Sequence, residues 1–276
     1  MALQSSGAIS LNDIAGEFGG STPHSLSEYY AAASGVPSSG AIDFADFYGT
    51  ASGPATNGLI FNLDARNSSS YTSNATTWYD LTSNNRDFSL YGSPTGVTNA
   101  ISFSGSSQHA YIADGTWIPE GTSAKSFEMM IQIGSPRWGS YDLFVSKTSA
   151  NNQSFSFGLD HTTANPKLVC GTQGGGSFIG YSSAIYTLPS SFNSTTAFHH
   201  YAFTYDGSVL KMYVDASLVY TSGSGKSLHS NTANLRLMCF NPLIGYYYWP
   251  VDGDVRFARM YNRALSASEI TSNMNA

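Results

Sequence analysis

The run from Phe198 to Tyr220, FHHYAFTYDGSVLKMYVDASLVY, restricts the fold more than any other part of the chain. Tyr201, Phe203 and Tyr205 alternate with His200, Ala202 and Thr204, the period of a strand with one face turned to a core. Asp206-Gly207 predicts a turn next, because glycine takes positive φ without steric penalty and aspartate tolerates it. Val209 to Val214 read as the returning strand. Leu218 to Tyr220, beyond a second turn at Asp215, read as a third. Such a meander has to cover its apolar face with another sheet or with helices.

Similar runs recur along most of the chain. Strands are expected from Gly58 to Asp64, around Tyr111, and at Ser126–Ile133, Asp142–Ser146, Ser154–Leu159, Lys167–Cys170, Gly176–Tyr181, Asn234–Phe240 and Val255–Tyr261. Turn residues separate them and helical periodicity is nearly absent, so the expected fold is mainly β: an antiparallel jelly-roll sandwich over residues 58–276. Ser266 and Glu269 have the spacing of a capping box and predict a short closing helix to about Met274. Cys170 and Cys239 sit in apolar stretches; packing without a bond is the expectation, and a disulfide requires the two strands to be neighbours.

Residues 1–50 have a different texture. SSGAI occurs at Ser5–Ile9 and again at Ser38–Ile42, and HSLSEYY between them varies the same theme. Ser10, Ser25 and Asp43 are each followed three positions later by an acid, Asp13, Glu28 and Asp46, so short capped helices are predicted. Leu11, Ile14, Phe18, Leu26, Tyr29, Tyr30, Phe44, Phe47 and Tyr48 are more apolar groups than about fifty residues can hide. They are therefore candidate docking residues, for a partner, for further copies of the chain or for the sandwich. Residues 51–57 read as a linker.

Charged residues make up only 11% of the chain, against abundant Ser, Thr, Asn and Gly, which suits an extracellular or virion protein better than a cytosolic enzyme. The net charge of −6, with no Lys/Arg run, argues against nucleic acid as a partner. No stretch has the length of a membrane span, and MALQSSGAIS lacks a signal-peptide pattern, so release by lysis inside an assembled particle is the expected route outward.

Two segments resemble a known superfamily. Phe198-His199-His200, Tyr205-Asp206-Gly207 and Tyr213-Val214-Asp215-Ala216 resemble the central signature of laminin G-like (concanavalin A-like) lectin domains, with Ala216 in place of the usual glycine. Gly253–Phe257 and Met260–Ser266 resemble the closing strand and exit, and Trp78, Asp80, Leu81, Ser83 and Asn84 match a further segment. Residues 5–49 are similar to N-terminal segments of structural proteins from tailed bacteriophages. Together these resemblances imply a virion component, displayed on the particle exterior in multiple copies. The N-terminal module would dock on other virion proteins and the lectin-like domain would serve adhesion to host-surface glycan or decoration. A purely structural capsid or tail role, and a glycan-degrading enzyme on the same fold, are the alternatives.

The residues themselves weigh against catalysis. Retaining glycoside hydrolysis needs two carboxylates about 5 Å apart, and neither Glu-x-Asp-x-x-Glu nor Glu-x-Asp-x-Glu occurs; Glu128 stands alone in its strand. Asp252-Gly253-Asp254 reads first as a turn and only secondarily as calcium ligands, so no cofactor is expected. His199 and His200 lack a spaced third metal ligand. Tyr246, Tyr247, Tyr248 and Trp249, with Trp138 and Asn241, are the candidate carbohydrate-binding residues, since flat rings beside amides suit sugars. The same rings equally suit a protein interface.

Overall fold

A computed structural model describes residues 3, 4, 6–20, 22–30, 32, 33, 36, 37, 39–48, 53–136, 141–149, 152–171, 185–192, 197–225, 227–240 and 249–276. The chain divides into two compact units, one of Met1–Thr56 with Ser266–Ala276 and one of Asn57–Leu265.

The larger unit is the expected two-layer sandwich. Its strands are β1 (Leu59–Asp64), β2 (Thr77–Trp78), β3 (Phe88–Tyr91), β4 (Thr95–Val97), β5 (Ala100–Ser104), β6 (His109–Ile112), β7 (Lys125–Ile133), β8 (Tyr141–Ser149) and β9 (Asn152–Asp160). The series continues with β10 (Lys167–Gly171), β11 (Ile185–Thr187), β12 (His199–Tyr205), β13 (Leu210–Val214), β14 (Ser217–Thr221), β15 (Leu235–Leu237), β16 (Cys239–Phe240), β17 (Trp249–Pro250) and β18 (Asp252–Tyr261). Among the described residues one sheet runs β14-β13-β12-β7-β18-β5-β4, with β1 also on β18, and the other runs β11-β10-β9-β8-β15-β6-β3-β2. Pairing is antiparallel throughout. β5 takes the first part of one edge of β18, opposite Asp252–Val255, and β1 takes the rest, opposite Phe257–Tyr261. The strand expected at Gly176–Tyr181 lies outside the described residues.

Alternation decides which side chains fill the space between the sheets. Phe127, Met129, Ile131 and Ile133 of β7 join Tyr201, Phe203 and Tyr205 of β12 in one core with Phe144, Phe155, Phe157 and Leu159 of the opposing sheet. The Phe203 ring lies 5.4 Å from Phe157 and 6.0 Å from Phe155, and Phe144 lies 4.9 Å from Tyr201. Cys170 and Cys239 are buried and unbonded to each other, as their apolar settings predicted.

Two sequence expectations about turns have different outcomes. Between β13 and β14, Asp215 (φ 47°) and Ala216 (φ 60°) both occupy the left-handed region, the geometry of a type I′ hairpin. Asp215 is held there, accepting from His199 Nδ1 at 2.8 Å and from the His200 backbone N–H at 2.9 Å. Ala216 keeps the turn without the glycine that suits it, so Ala216→Gly should raise the unfolding free energy by about 1 kcal/mol. An unchanged or lowered denaturation midpoint for that variant contradicts the strain assigned to the turn. Asp252-Gly253-Asp254, by contrast, is not a turn: it opens β18, with Gly253 opposite Phe103 on one side and Ile133 on the other. The glycine is needed for close approach, since a Cβ there would sit 2.5 Å from the Gln132 carbonyl oxygen.

The smaller unit is built on the repeated caps. Helix α1 (Leu11–Phe18) and two single-turn 3₁₀ segments, Leu26–Tyr29 and Phe44–Phe47, each begin where the acid three residues on accepts the cap's backbone N–H. The distances are 2.7 Å (Ser10 to Asp13), 3.2 Å (Ser25 to Glu28) and 2.8 Å (Asp43 to Asp46). Each segment then delivers the side chain four positions after its cap, Ile14, Tyr29 or Phe47, into one shared cluster with Val36. Phe18, Tyr29 and Phe47 meet there with ring centroids 6.0 to 6.3 Å apart. Tyrosine hydroxyls tie segment to segment, Tyr30 donating to Gly40 O and Tyr48 to Gly7 O, the glycines of the two SSGAI copies. The closing helix α2 (Ala267–Asn275) starts at the predicted Ser266 box, and its Asn273 accepts from the Ala55 N–H at 2.8 Å.

Candidate functional site

Within the sandwich unit, the chain between Trp78 and Phe88 is wound around one carboxylate. Asp80 accepts from the backbone N–H groups of Asn62, Thr82 and Arg86 at 2.9 to 3.0 Å and from the Thr82 hydroxyl at 2.7 Å. This wound loop presents Asn84 and Arg86. Asn84 Nδ2 donates to Ile60 O at 2.9 Å, and Arg86 Nη1 donates to the same carbonyl at 3.0 Å. Both side chains thereby stand over the start of β1.

A second loop, after β6, supplies the opposing wall. Trp117 is half-buried and packs on the rim of the main core, over a glycine, Gly115, whose Cβ would lie 2.3 Å from Trp117 Nε1. The Arg86 guanidinium carbon lies 4.4 Å from the Trp117 ring centroid, a cation-π stack that locks the two loops together. Burial pulls the Arg86 pKa below its ordinary value and the Asp80 charge pushes it back up, so the guanidinium stays a cation. Asp114 and Glu120, on either side of Trp117 in sequence, both pair with the fully buried ammonium of Lys147 on β8; the Asp114 oxygen is 2.7 Å away. Glu120 also accepts the Asn231 N–H at 3.0 Å, so this acid is committed within the protein.

These loops enclose an open cleft of about 450 Å³. Among the described residues, Asn84, Arg86, Thr116, Trp117, Glu120, Ser123 and Asn262 supply its polar lining. Asn262 reaches the cleft because Gly58 (φ 73°) has no side chain: a Cβ there would stand 2.5 Å from Asn262 Oδ1. Just below, Lys125 donates to Ser123 O at 2.6 Å and to Gly121 O at 3.1 Å, and burial pushes its pKa down to about 7. An aromatic edge, amides, hydroxyls and a stacked guanidinium around a solvent-open hollow are equipped to hydrogen-bond a hydroxylated ligand.

Trp138, Asn241, Tyr246, Tyr247 and Tyr248 lie outside the described residues. Trp249 is in β17, paired with Phe240. Of the docking candidates, Ile14, Tyr29 and Phe47 are buried in the small unit's own core, whereas Phe44 (39%) and Tyr48 (37%) are exposed. Leu11, Phe18, Leu26 and Tyr30 are half-buried. Asp252 accepts the Ser135 N–H at 3.1 Å, and Asp254 sits opposite Ser102 and Gln132. Among the described residues no group of three or more His, Cys, Asp or Glu side chains has the geometry of a metal site.

Glu128 also has surroundings its sequence context did not reveal. On the sheet face opposite the main core it meets His200 Nε2 at 3.3 Å, Arg259 Nη1 at 3.4 Å and the Tyr261 hydroxyl at 3.4 Å, and it is fully buried. Arg259 Nη2 is 3.9 Å from Asp64, and Arg66 pairs with Asp64 at 2.6 Å, so the two acids have an arginine between them.

A family model described as the concanavalin A-like lectin/glucanases superfamily matches residues 103–271. No curated protein matches the chain in sequence. Among solved structures, a Trypanosoma rangeli sialidase in complex with sialic acid is similar at TM-score 0.56 and 15% identity, over 85% of this chain and 35% of the sialidase. The binding domain of Paraclostridial Mosquitocidal Protein 1 is similar at 0.56 and 14%, over 79% of this chain and 52% of that one. Domain 4 of AbnA, an extracellular arabinanase from Geobacillus stearothermophilus solved with arabinotriose, is similar at 0.51 and 14%, over 79% and 98%. The chain spans about a third of the length of the sialidase it matches. At these identities the likeness is one of fold, the same two-sheet sandwich that the strand order describes. With its strand order, its closing segment and the matched residues 103–271 in agreement, the chain belongs to the concanavalin A-like lectin/glucanases superfamily.

Proposed function

We propose that this protein is a non-enzymatic glycan-binding component of a tailed-phage particle. Its sandwich binds host-surface saccharide and its small N-terminal unit docks on neighbouring virion proteins. The observation that carries the sugar-binding half is the cleft between the Asp80-wound loop and the Trp117 loop, where amides, hydroxyls and a guanidinium-on-indole stack line about 450 Å³. The non-catalytic reading is supported by its acids. Among the described lining residues Glu120 is the single carboxylate, and both its oxygens are engaged, by Lys147 and Asn231. Hydrolysis of a glycosidic bond needs a second acid within reach and one of the pair protonated. A sandwich of this kind holds arabinotriose in the arabinanase domain, so sugar binding is a use the fold accommodates.

The docking half rests on the capped repeats, their similarity to tailed-phage N-terminal segments and the exposed rings of Phe44 and Tyr48. Display on the particle exterior in several copies follows from that arrangement, and calcium is not required by it.

A glycan array probed with the full chain should give saccharide hits that Trp117→Ala and Asn84→Ala reduce by about tenfold or more, both variants remaining folded by circular dichroism. Binding that survives both changes but disappears in Trp249→Ala or Trp138→Ala would move the site to the aromatic candidates read from the sequence. An array without any hit removes the sugar-binding reading. For the docking half, a chain starting at Ala51 should fail to enter particles; incorporation at the full-length level overturns it.

A further inference from the structure

Resting on the reading of the cleft as a sugar site, we propose that its ligand is an acidic saccharide whose carboxylate is held by Arg86. Three facts about charge and donors lead there. First, Arg86 commits only Nη1, to Ile60 O at 3.0 Å, and its backbone N–H to Asp80; its Nε and Nη2 have no partner among the described residues. Second, Trp117 Nε1, the neighbouring donor in the lining, likewise has none, and an indole N–H can only donate. Third, the acids nearby are already occupied. Asp80 receives four hydrogen bonds, three from its own loop and one from Asn62 of β1; Asp87 accepts the Asp80 N–H; Glu120 and Asp114 share the Lys147 ammonium. The uncommitted charge of the cleft is thus positive, and beside amides and hydroxyls that can also accept, the guanidinium edge and the indole N–H can only donate.

A carboxylate answers that set better than a hydroxyl pair does. Its two oxygens match the guanidinium edge in a planar fork, and charge-assisted bonds are about twice as strong as neutral ones. The stack on Trp117 holds the guanidinium plane in place, so little side-chain freedom is lost when the fork closes. A neutral sugar entering the same cleft would take solvent from a cation and return only neutral acceptors. Sialic and uronic acids carry the required group on a hydroxylated ring.

The experiment uses the full chain on an array of paired glycans: sialyllactose with lactose, glucuronoxylan oligomers with xylan oligomers, and oligogalacturonate with its methyl ester. Binding to at least one acidic member should exceed binding to its neutral twin by about tenfold or more, the range expected of one charge-assisted contact. Arg86→Gln should bring the ratio of acidic to neutral binding down to about one, whatever it does to the neutral twin, and Arg86→Lys should keep part of the preference. Raising the salt concentration should weaken wild-type binding to the acid and leave Arg86→Gln unmoved.

Equal binding of acid and neutral twins, lost in Trp117→Ala, overturns the acidic ligand and leaves a sugar site in place. An acid preference untouched by Arg86→Gln overturns the assignment to Arg86. Absence of any saccharide binding overturns the proposal together with the reading beneath it.

Discussion

Replacing Phe203 with alanine should lower the unfolding free energy by about 3 to 5 kcal/mol. The ring is fully buried on β12 and stands against Phe127 of its own sheet and Phe155 and Phe157 of the other, so its removal opens a hole where the two layers interlock. Neighbouring rings fixed by strand pairing on both sides can move little to fill it. The measurement is urea unfolding followed by tryptophan fluorescence: the midpoint should fall while the slope stays that of the parent. Phe203→Leu, which keeps most of the volume, should lose clearly less. If the alanine variant unfolds within about 1 kcal/mol of the parent, the two sheets do not interlock through this ring.

The hairpin around Phe203 was legible because its information is local. Alternation, an Asp-Gly turn and a second short turn lie within one run, and β12, β13 and β14 follow them with shifts of a residue or so at the ends. The same local cues misread Asp252-Gly253-Asp254. A glycine between two aspartates looks like punctuation, whereas here it admits the Gln132 carbonyl of the adjacent strand. The environment of Glu128 was beyond local reading for the related reason that its partners His200 and Arg259 come from the strands flanking β7 on either side. In the small unit, the cap spacing was legible, but the destination of Ile14, Tyr29 and Phe47 was not, because the period of the repeat shows which positions are equivalent and not that they converge.

The cleft was half legible. Asp80 and Asn84 stood out within the superfamily-like segment, and the structure shows what they do there: Asp80 winds the loop, Asn84 faces the hollow. Arg86 and Trp117 gave no signal of their own. One is a lone basic residue and the other a lone indole before Ile-Pro, and only the juxtaposition of the loops after β2 and β6, through β3, brings guanidinium and ring together. A cue was available in composition. In a chain with so few charges, an arginine next to the Asp80 motif with no acidic residue spaced to pair with it on a strand is already a cation looking for an anion.

Lys147→Met should be the most damaging single change at a charged residue near the cleft, with a loss of about 3 kcal/mol or more. Lys147 is buried on β8, where its ammonium donates to Asn231 O at 2.6 Å and pairs with both Asp114 and Glu120. Methionine fills a similar volume, so packing alone predicts a small effect. The large effect comes from two carboxylates, each only partly exposed, left facing each other without a counter-charge. Because those acids flank Trp117, relief of their repulsion should move the loop and weaken saccharide binding as well as stability. Adding Glu120→Gln to Lys147→Met separates the causes: the amide retains an acceptor for the Asn231 N–H, removes one of the orphaned charges, and should recover at least half of the lost stability. Thermal and urea unfolding of the single and double variants decide the matter. A Lys147→Met protein as stable as the parent, or a double variant no better than the single, would mean that the ion pairs do not hold the Trp117 loop and that its position comes from the packing of the indole on Gly115 and the core.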